Sequence, residues 1–150
     1  MDLNKLLSDL KQAEGVRFTA YKDSRGFWTG GVGHLLDQSK DWTNVVFTQV
    51  QVDTWLKQDV YGAQQEASEL LEWPALDTDA RQNAYVELIF NMGESHWESF
   101  SHTRHAVLQK NWQLAHDQLL DSAWAGEVGS HRAQRLANYL LTGEFDGRNT

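Results

Sequence analysis

The chain has 150 residues, 41% of them hydrophobic, with 11 Gly and one Pro, a make-up that excludes a disordered or collagen-like chain and suits one compact domain. Thirteen Lys and Arg against 21 Asp and Glu leave a net charge of −8, a balance that repels phosphate backbones and argues against a nucleic-acid partner. With no cysteine, disulfides, thiolate metal sites and cysteine nucleophiles are excluded outright. The stretch Met1–Asp9 mixes charge into every turn, so no secretory signal is expected there, and no apolar run reaches membrane length.

Leu3, Leu6, Leu7 and Leu10 recur at the spacing of one helical face, and Gly15 can close that helix. The period then changes. Val16, Phe18 and Ala20 alternate with Arg17, Thr19 and Tyr21, the run Lys22-Asp23-Ser24-Arg25-Gly26 supplies turn chemistry, and Phe27-Trp28-Thr29 resumes with strand formers. This predicts a β-hairpin, in which Gly30, Gly31 and Gly33 bring the backbone close to a neighbour. Residues 37–46 read as a loop.

Thr48 and Gln51 have the spacing of a capping box, and Phe47 can staple against Val52. Trp55, Leu56, Val60, Ala63, Ala67, Leu70 and Leu71 hold helical spacing as far as Trp73-Pro74, which predicts a helix about 35–40 Å long, enough to join two lobes. Beyond Pro74 the pattern is helical throughout. A helix runs from Leu76-Asp77-Thr78 to Gly93, two shorter ones are supported by Val107, Leu108, Leu114, Ala115, Leu119 and Leu120, and a last one is capped by Ser130 and ends at Gly143. The fold class is α+β and mostly α. A small β-hairpin lobe at about 14–58 is joined by the long helix to a larger helical lobe formed by 1–13 and about 72–150.

Glu14, at the end of a helix, and Asp23, in the hairpin turn, are two carboxylates on elements that fold back on each other. Such a pair can flank a scissile bond, one group protonated and the other ionised. Thr29 adds a hydroxyl able to hold a water, while strand alternation turns Trp28 to the other face. His102 and His105, with His96 and Glu94 or Glu98 nearby, have no recognised zinc spacing, so no metal is assigned. Trp42, Trp55, Trp73, Trp97 and Trp112 read as core residues.

The run Glu14 to His34 spells E-G-x-R-x-x-x-Y-x-D-x-x-G-x-x-T-x-G-x-G-H, and the stretch from Glu14 to Leu36 resembles the catalytic hairpin of the T4-type phage lysozymes, endolysins of glycoside hydrolase family 24. Phe47-Thr48 through Val60, Phe90 to Glu94, and His131 to Arg135 are similar to further segments of that family. The resemblance implies a lysozyme-like fold and a muramidase that cuts the β-1,4 bond between N-acetylmuramic acid and N-acetylglucosamine in peptidoglycan. It implies that Glu14 protonates the leaving oxygen while Asp23 and Thr29 ready a water, with inversion of configuration and no cofactor. It also assigns Leu35, Phe90 and Asn91 to sugar contacts and Trp124 to the helical lobe, ahead of a short turn to Arg132.

In the same resemblance Arg132 pairs with the catalytic glutamate, and His34 with Asp59 forms a salt bridge that packs the hairpin on the long helix. Two departures stand out. The loop between His34 and Asp59 is shorter than in the family's founding member, and Arg25 replaces an acidic residue, either capping the turn or meeting a peptide-stem carboxylate. The acidic net charge is met by an expected basic rim of Arg17, Arg25, Arg104, Arg132 and Arg135.

The biological setting implied is a monomer held in a host cytoplasm that depends on a holin to reach the periplasm and cell wall. Two alternatives are a lytic transglycosylase, which has no need of Asp23 and Thr29, and a non-catalytic wall-binding protein, which has no need to retain all three.

Overall fold

The structure, a computed structural model, describes residues 1–145. Among these are eight α-helices and one three-stranded antiparallel sheet. The helix-dominated α+β class expected from the sequence is what is found. Two compact units are present, one formed by Asn4–Gly62 and the other by Met1–Leu3 with Ala63 onward. Most of the first helix therefore groups with the strands, whereas the sequence reading set 1–13 beside the later helices.

In the first unit, α1 spans Leu3–Glu14 and stops at Gly15, whose positive φ of 75° lets its N–H turn back to Lys11 O at 2.9 Å. Strands β1 (Arg17–Lys22), β2 (Trp28–Gly31) and β3 (His34–Leu35) follow in the order β1-β2-β3. The third strand was not expected; its two residues are too few to show a period. Tyr21 lies opposite Thr29, and Thr29 opposite Leu35, so these three side chains form one row on one sheet face. Lys22 pairs with Trp28 on the other face, its ammonium 4.7 Å from the indole ring centre.

The loop 37–46 is irregular except for a bridge from Val46 to Thr19. Next comes α2 (Gln49–Ser68), opened by the expected capping box. Thr48 N–H donates to Gln51 Oε1 at 2.8 Å, and Gln51 N–H donates to Thr48 Oγ1 at 3.1 Å. Its 20 residues give about 30 Å, shorter than expected. The helix stops before Trp73 because the chain tightens into i→i−3 bonds at Glu69 and Leu70, which turn Leu70 and Glu72 inward and leave Leu71 outside.

In the second unit a short 3₁₀ helix, Trp73–Ala75, precedes α3 (Asp79–Met92), capped by Thr78 and closed by Gly93. Every residue of α3 from Ala80 to Ile89 except Gln82 is buried. Then come α4 (Glu94–Glu98), α5 (Ser101–Leu108), α6 (Trp112–Leu120), α7 (Ala123–Val128) and α8 (Ser130–Thr142). The helix α6 packs on α5 and α8, and α8 packs on α3 and α7. Helices α4 and α7 escaped the sequence reading because five and six residues hold less than two turns of periodicity. Trp124 thus sits inside a helix rather than before a turn. The last helix is entered through Gly129 with no side-chain cap, so Ser130 does not cap it. Of the five tryptophans read as core, only Trp97 is fully buried.

Candidate active site

The first unit gathers six of the residues singled out in the sequence: Glu14, Asp23, Thr29, His34, Leu35 and Asp59. Glu14 ends α1 and is half-buried. Its side chain lies over the backbone of Gly33, where a Cβ would stand 3.0 Å from Oε1 and 3.1 Å from Cδ. Gly33, at φ 63°, is in the left-handed region, so both its shape and its conformation require glycine. The glycines flagged in the sequence are thus explained one by one. Gly30 meets the Phe47 ring, Gly31 meets Trp55 and Val52, and Gly33 makes room for the carboxylate.

Asp23 is fixed by the turn it makes. Its Oδ1 accepts the N–H groups of Arg25 and Phe27, both at 2.9 Å, and its backbone exchanges bonds with Phe27 O and the Gly26 N–H. One oxygen is therefore occupied by backbone. The other, Oδ2, faces the Arg25 guanidinium at 3.9 Å, and the side chain keeps a quarter of its surface exposed. Arg25 serves the turn, with its guanidinium 5.0 Å from the Phe27 ring centre.

Thr29 is buried on β2 and spends its proton on Phe27 O at 2.9 Å. Its hydroxyl oxygen is then an acceptor. A water between Thr29 Oγ1 and Asp23 Oδ2 would donate both its protons, leaving its own lone pair for attack.

Tyr21 is the residue the sequence reading passed over. It is half-buried, shares the sheet row of Thr29 and Leu35, and lies under the Arg17 guanidinium at 4.3 Å. Burial pushes its phenol above the ordinary range, the charge of Glu14 adds to this, Arg17 opposes it, and Asp23 adds again. Tyr21 thus feels both carboxylates. The signal was in the sequence, since Tyr21 alternates in phase with Thr19 and Asp23, but periodicity alone gives a tyrosine no chemical role.

His34 and Asp59 are joined as expected, Nδ1 to Oδ2 at 2.7 Å. The imidazole also stacks flat on Trp55, with centroids 4.7 Å apart and planes 8° apart. This ties β3 to α2. Leu35 beside it is exposed.

The second unit holds Phe90, Asn91 and Arg132. Phe90 and Asn91 end α3 half-exposed, and Asn91 Oδ1 accepts the Trp124 indole N–H at 2.7 Å. Trp124 itself is buried. Arg132 is held in its own unit by Glu87, with Nε to Oε2 at 2.9 Å. Arg135 makes a two-pronged contact to the same carboxylate at 3.0 and 2.8 Å. Arg104 grips the buried Glu72 at 2.7 and 3.1 Å. Three of the five arginines expected to form a basic rim are therefore matched to buried carboxylates. Glu87 and Glu72 were not anticipated, because nothing in a helical run marks which glutamate turns inward.

Among known proteins, the family model described as phage lysozyme matches residues 11–138. The endolysin of Salmonella phage P22 is 34% identical over 116 residues, covering 76% of this chain and 77% of its own. A probable T4-type lysozyme 1 of Dictyostelium discoideum is 23% identical over 160 residues, with 91% and 94% covered. A peptidoglycan hydrolase, gp36 of Pseudomonas phage phiKMV, is 26% identical over 116 residues, which is 77% of this chain but 13% of that protein.

Proposed function

We propose, since this chain belongs to the phage lysozyme family, that it hydrolyses the β-1,4 bond between N-acetylmuramic acid and N-acetylglucosamine with inversion of configuration. It is a lysozyme by family, a glycoside hydrolase whose substrate is peptidoglycan. The finer reading concerns how the bond is cut. Glu14 gives its proton to the leaving glycosidic oxygen. Asp23 takes a proton from a water on the opposite side of the sugar, and Thr29 accepts the other proton of that water as a hydrogen bond.

The observation that carries this reading is the fixed supply of acceptors on the sheet face. Asp23 Oδ1 is committed to the Arg25 and Phe27 N–H groups and the Thr29 proton to Phe27 O, so Thr29 Oγ1 can only accept, and Asp23 Oδ2 has no neighbour but the Arg25 guanidinium at 3.9 Å to compete with a water. Leu35, Phe90 and Asn91 are the sugar contacts in this reading. Arg132 is the supporting cation, and His34 with Asp59 serves the scaffold. The protein acts in host lysis as a monomer, and reaches the wall from the host cytoplasm through a holin pore.

The test is digestion of purified peptidoglycan by wild type and Glu14→Gln, with the products identified by mass spectrometry. The expected outcome is reducing-end muropeptides from wild type and a rate lower by roughly 10²–10⁴-fold in Glu14→Gln. Anhydro-sugar ends would instead identify a transglycosylase. Unchanged cleavage by Glu14→Gln would remove the acid from its role.

A further inference from the structure

Tyr21, Thr29 and Leu35 stand side by side in one row of the sheet, with Thr29 in the middle. Neighbours in such a row have Cβ atoms about 5 Å apart, comparable to the width of a sugar ring. A saccharide seated against Leu35, with its anomeric carbon over the water at Thr29, therefore reaches Tyr21 on the far side. We propose that the Tyr21 hydroxyl donates a hydrogen bond to an oxygen of the sugar whose bond is cut, an inference that rests on the glycan cleavage of the proposed function.

The hydroxyl is free for this contact. Tyr85, the buried tyrosine of the other unit, spends its proton on Glu72 Oε2 at 3.0 Å. The Tyr21 phenol makes no hydrogen bond to any other described residue, although it is half-buried beside Thr29. It also keeps its proton, because burial, then the charge of Glu14 and last that of Asp23 outweigh the pull of Arg17. A phenol that stays protonated beside two acids donates without competing for their protons.

The ring is held in place by its own strand. Arg17 pairs with Gly31 and Tyr21 with Thr29, so four steps along β1 answer two along β2, and the surplus bulges. Across that bulge the Arg17 guanidinium lies over the Tyr21 ring, 4.3 Å from its centre. Arg17 has no ion-pair partner among the described residues, which leaves the ring as its contact. Arg17 therefore acts through Tyr21, as a positioning residue.

The experiment compares wild type with Tyr21→Phe on soluble, uncrosslinked glycan strands of peptidoglycan. Phenylalanine keeps the ring and its contact with Arg17, so thermal melting should be unchanged. The expected kcat/KM is lower by roughly 3–10-fold, the range of one neutral hydrogen bond. The ratio of the two enzymes should stay constant as pH is varied, since a protonated phenol contributes equally at every pH below its ionisation. Arg17→Leu should show a smaller loss. Combined with Tyr21→Phe it should lose no more than Tyr21→Phe alone, because both act through one hydroxyl. A loss that comes and goes as Glu14 or Asp23 titrates overturns the proposal, and so does a double variant whose losses simply multiply. If wild type cleaves peptidoglycan and Tyr21→Phe matches it, the Tyr21 assignment alone falls. If wild type leaves peptidoglycan intact, the proposed function falls and takes this assignment with it.

Discussion

Glu87 and Glu72 in one unit and Asp23 and Glu14 in the other are treated in opposite ways. In the unit from Ala63 onward, Glu87 is 1% exposed and receives two arginines, and Glu72 is 2% exposed and receives Arg104 together with the Tyr85 hydroxyl. In the unit Asn4–Gly62, Asp23 is held by two backbone N–H groups and keeps part of its surface open, while Glu14 rests half-buried on glycine backbone. Burial of a charge demands a counter-charge and fixes it. Asp23, with one oxygen taken by backbone N–H groups and the other only 3.9 Å from an exposed guanidinium, keeps an oxygen within reach of solvent, which is what proton transfer to and from solvent requires.

The largest expected effect tests the open side of this contrast. Asp23→Asn keeps the oxygen that accepts Arg25 and Phe27, so the turn should survive, with thermal melting unchanged and kcat lower by roughly 10²–10⁴-fold. A turnover near wild type would show that Oδ2 is not used. On the closed side, Glu87→Ala leaves Arg132 and Arg135 without the carboxylate that holds them and should cost about 3–5 kcal/mol in denaturant unfolding. A loss under about 1 kcal/mol would place that cluster among the weak surface pairs.

Glu72 sharpens the same point through pH. Burial pushes its carboxyl up, but the hydrogen bonds of Arg104 and Tyr85 and the charge of Arg104 outweigh this, so it sits below the ordinary range. A depressed folded value means its stabilisation is complete above the unfolded carboxyl value of about 4.3 and is lost as pH falls through the lower folded value. Unfolding measured at neutral pH and well below 4 should therefore show a steeper acid loss for wild type than for Glu72→Gln, and equal slopes would contradict it. The smallest effect belongs to Asp59→Asn. Removing the charge from the bond to His34, both side chains being partly exposed, should cost about 1 kcal/mol and leave most of the turnover. Complete loss of activity in a folded variant would move the pair from scaffold to chemistry.

Much of the first unit could be read from residue order alone. The capping box of Thr48 and Gln51, the Gly15 stop, the turn built on Asp23 and the facing of Trp28 are local, since each depends on residues within about one turn of each other. The helix α2 was read too long because its apolar spacing carries no mark of the i→i−3 bonds at Glu69 and Leu70 that end it, nor of the partner Arg104 that Glu72 meets 32 positions away. The pairing of Glu87 with Arg132 and Arg135 spans 45 and 48 positions and left no periodic trace.

From residue order came the two acids, the threonine and the glycine spacing around them, because bond lengths and backbone sterics confine what so short a run can do. Tertiary packing alone decided that Gly33 would cradle Glu14, that Tyr21 would feel both acids, and that three arginines would be drawn inward. Those outcomes depend on which distant surfaces exclude water together, and desolvation is a property of the assembled fold.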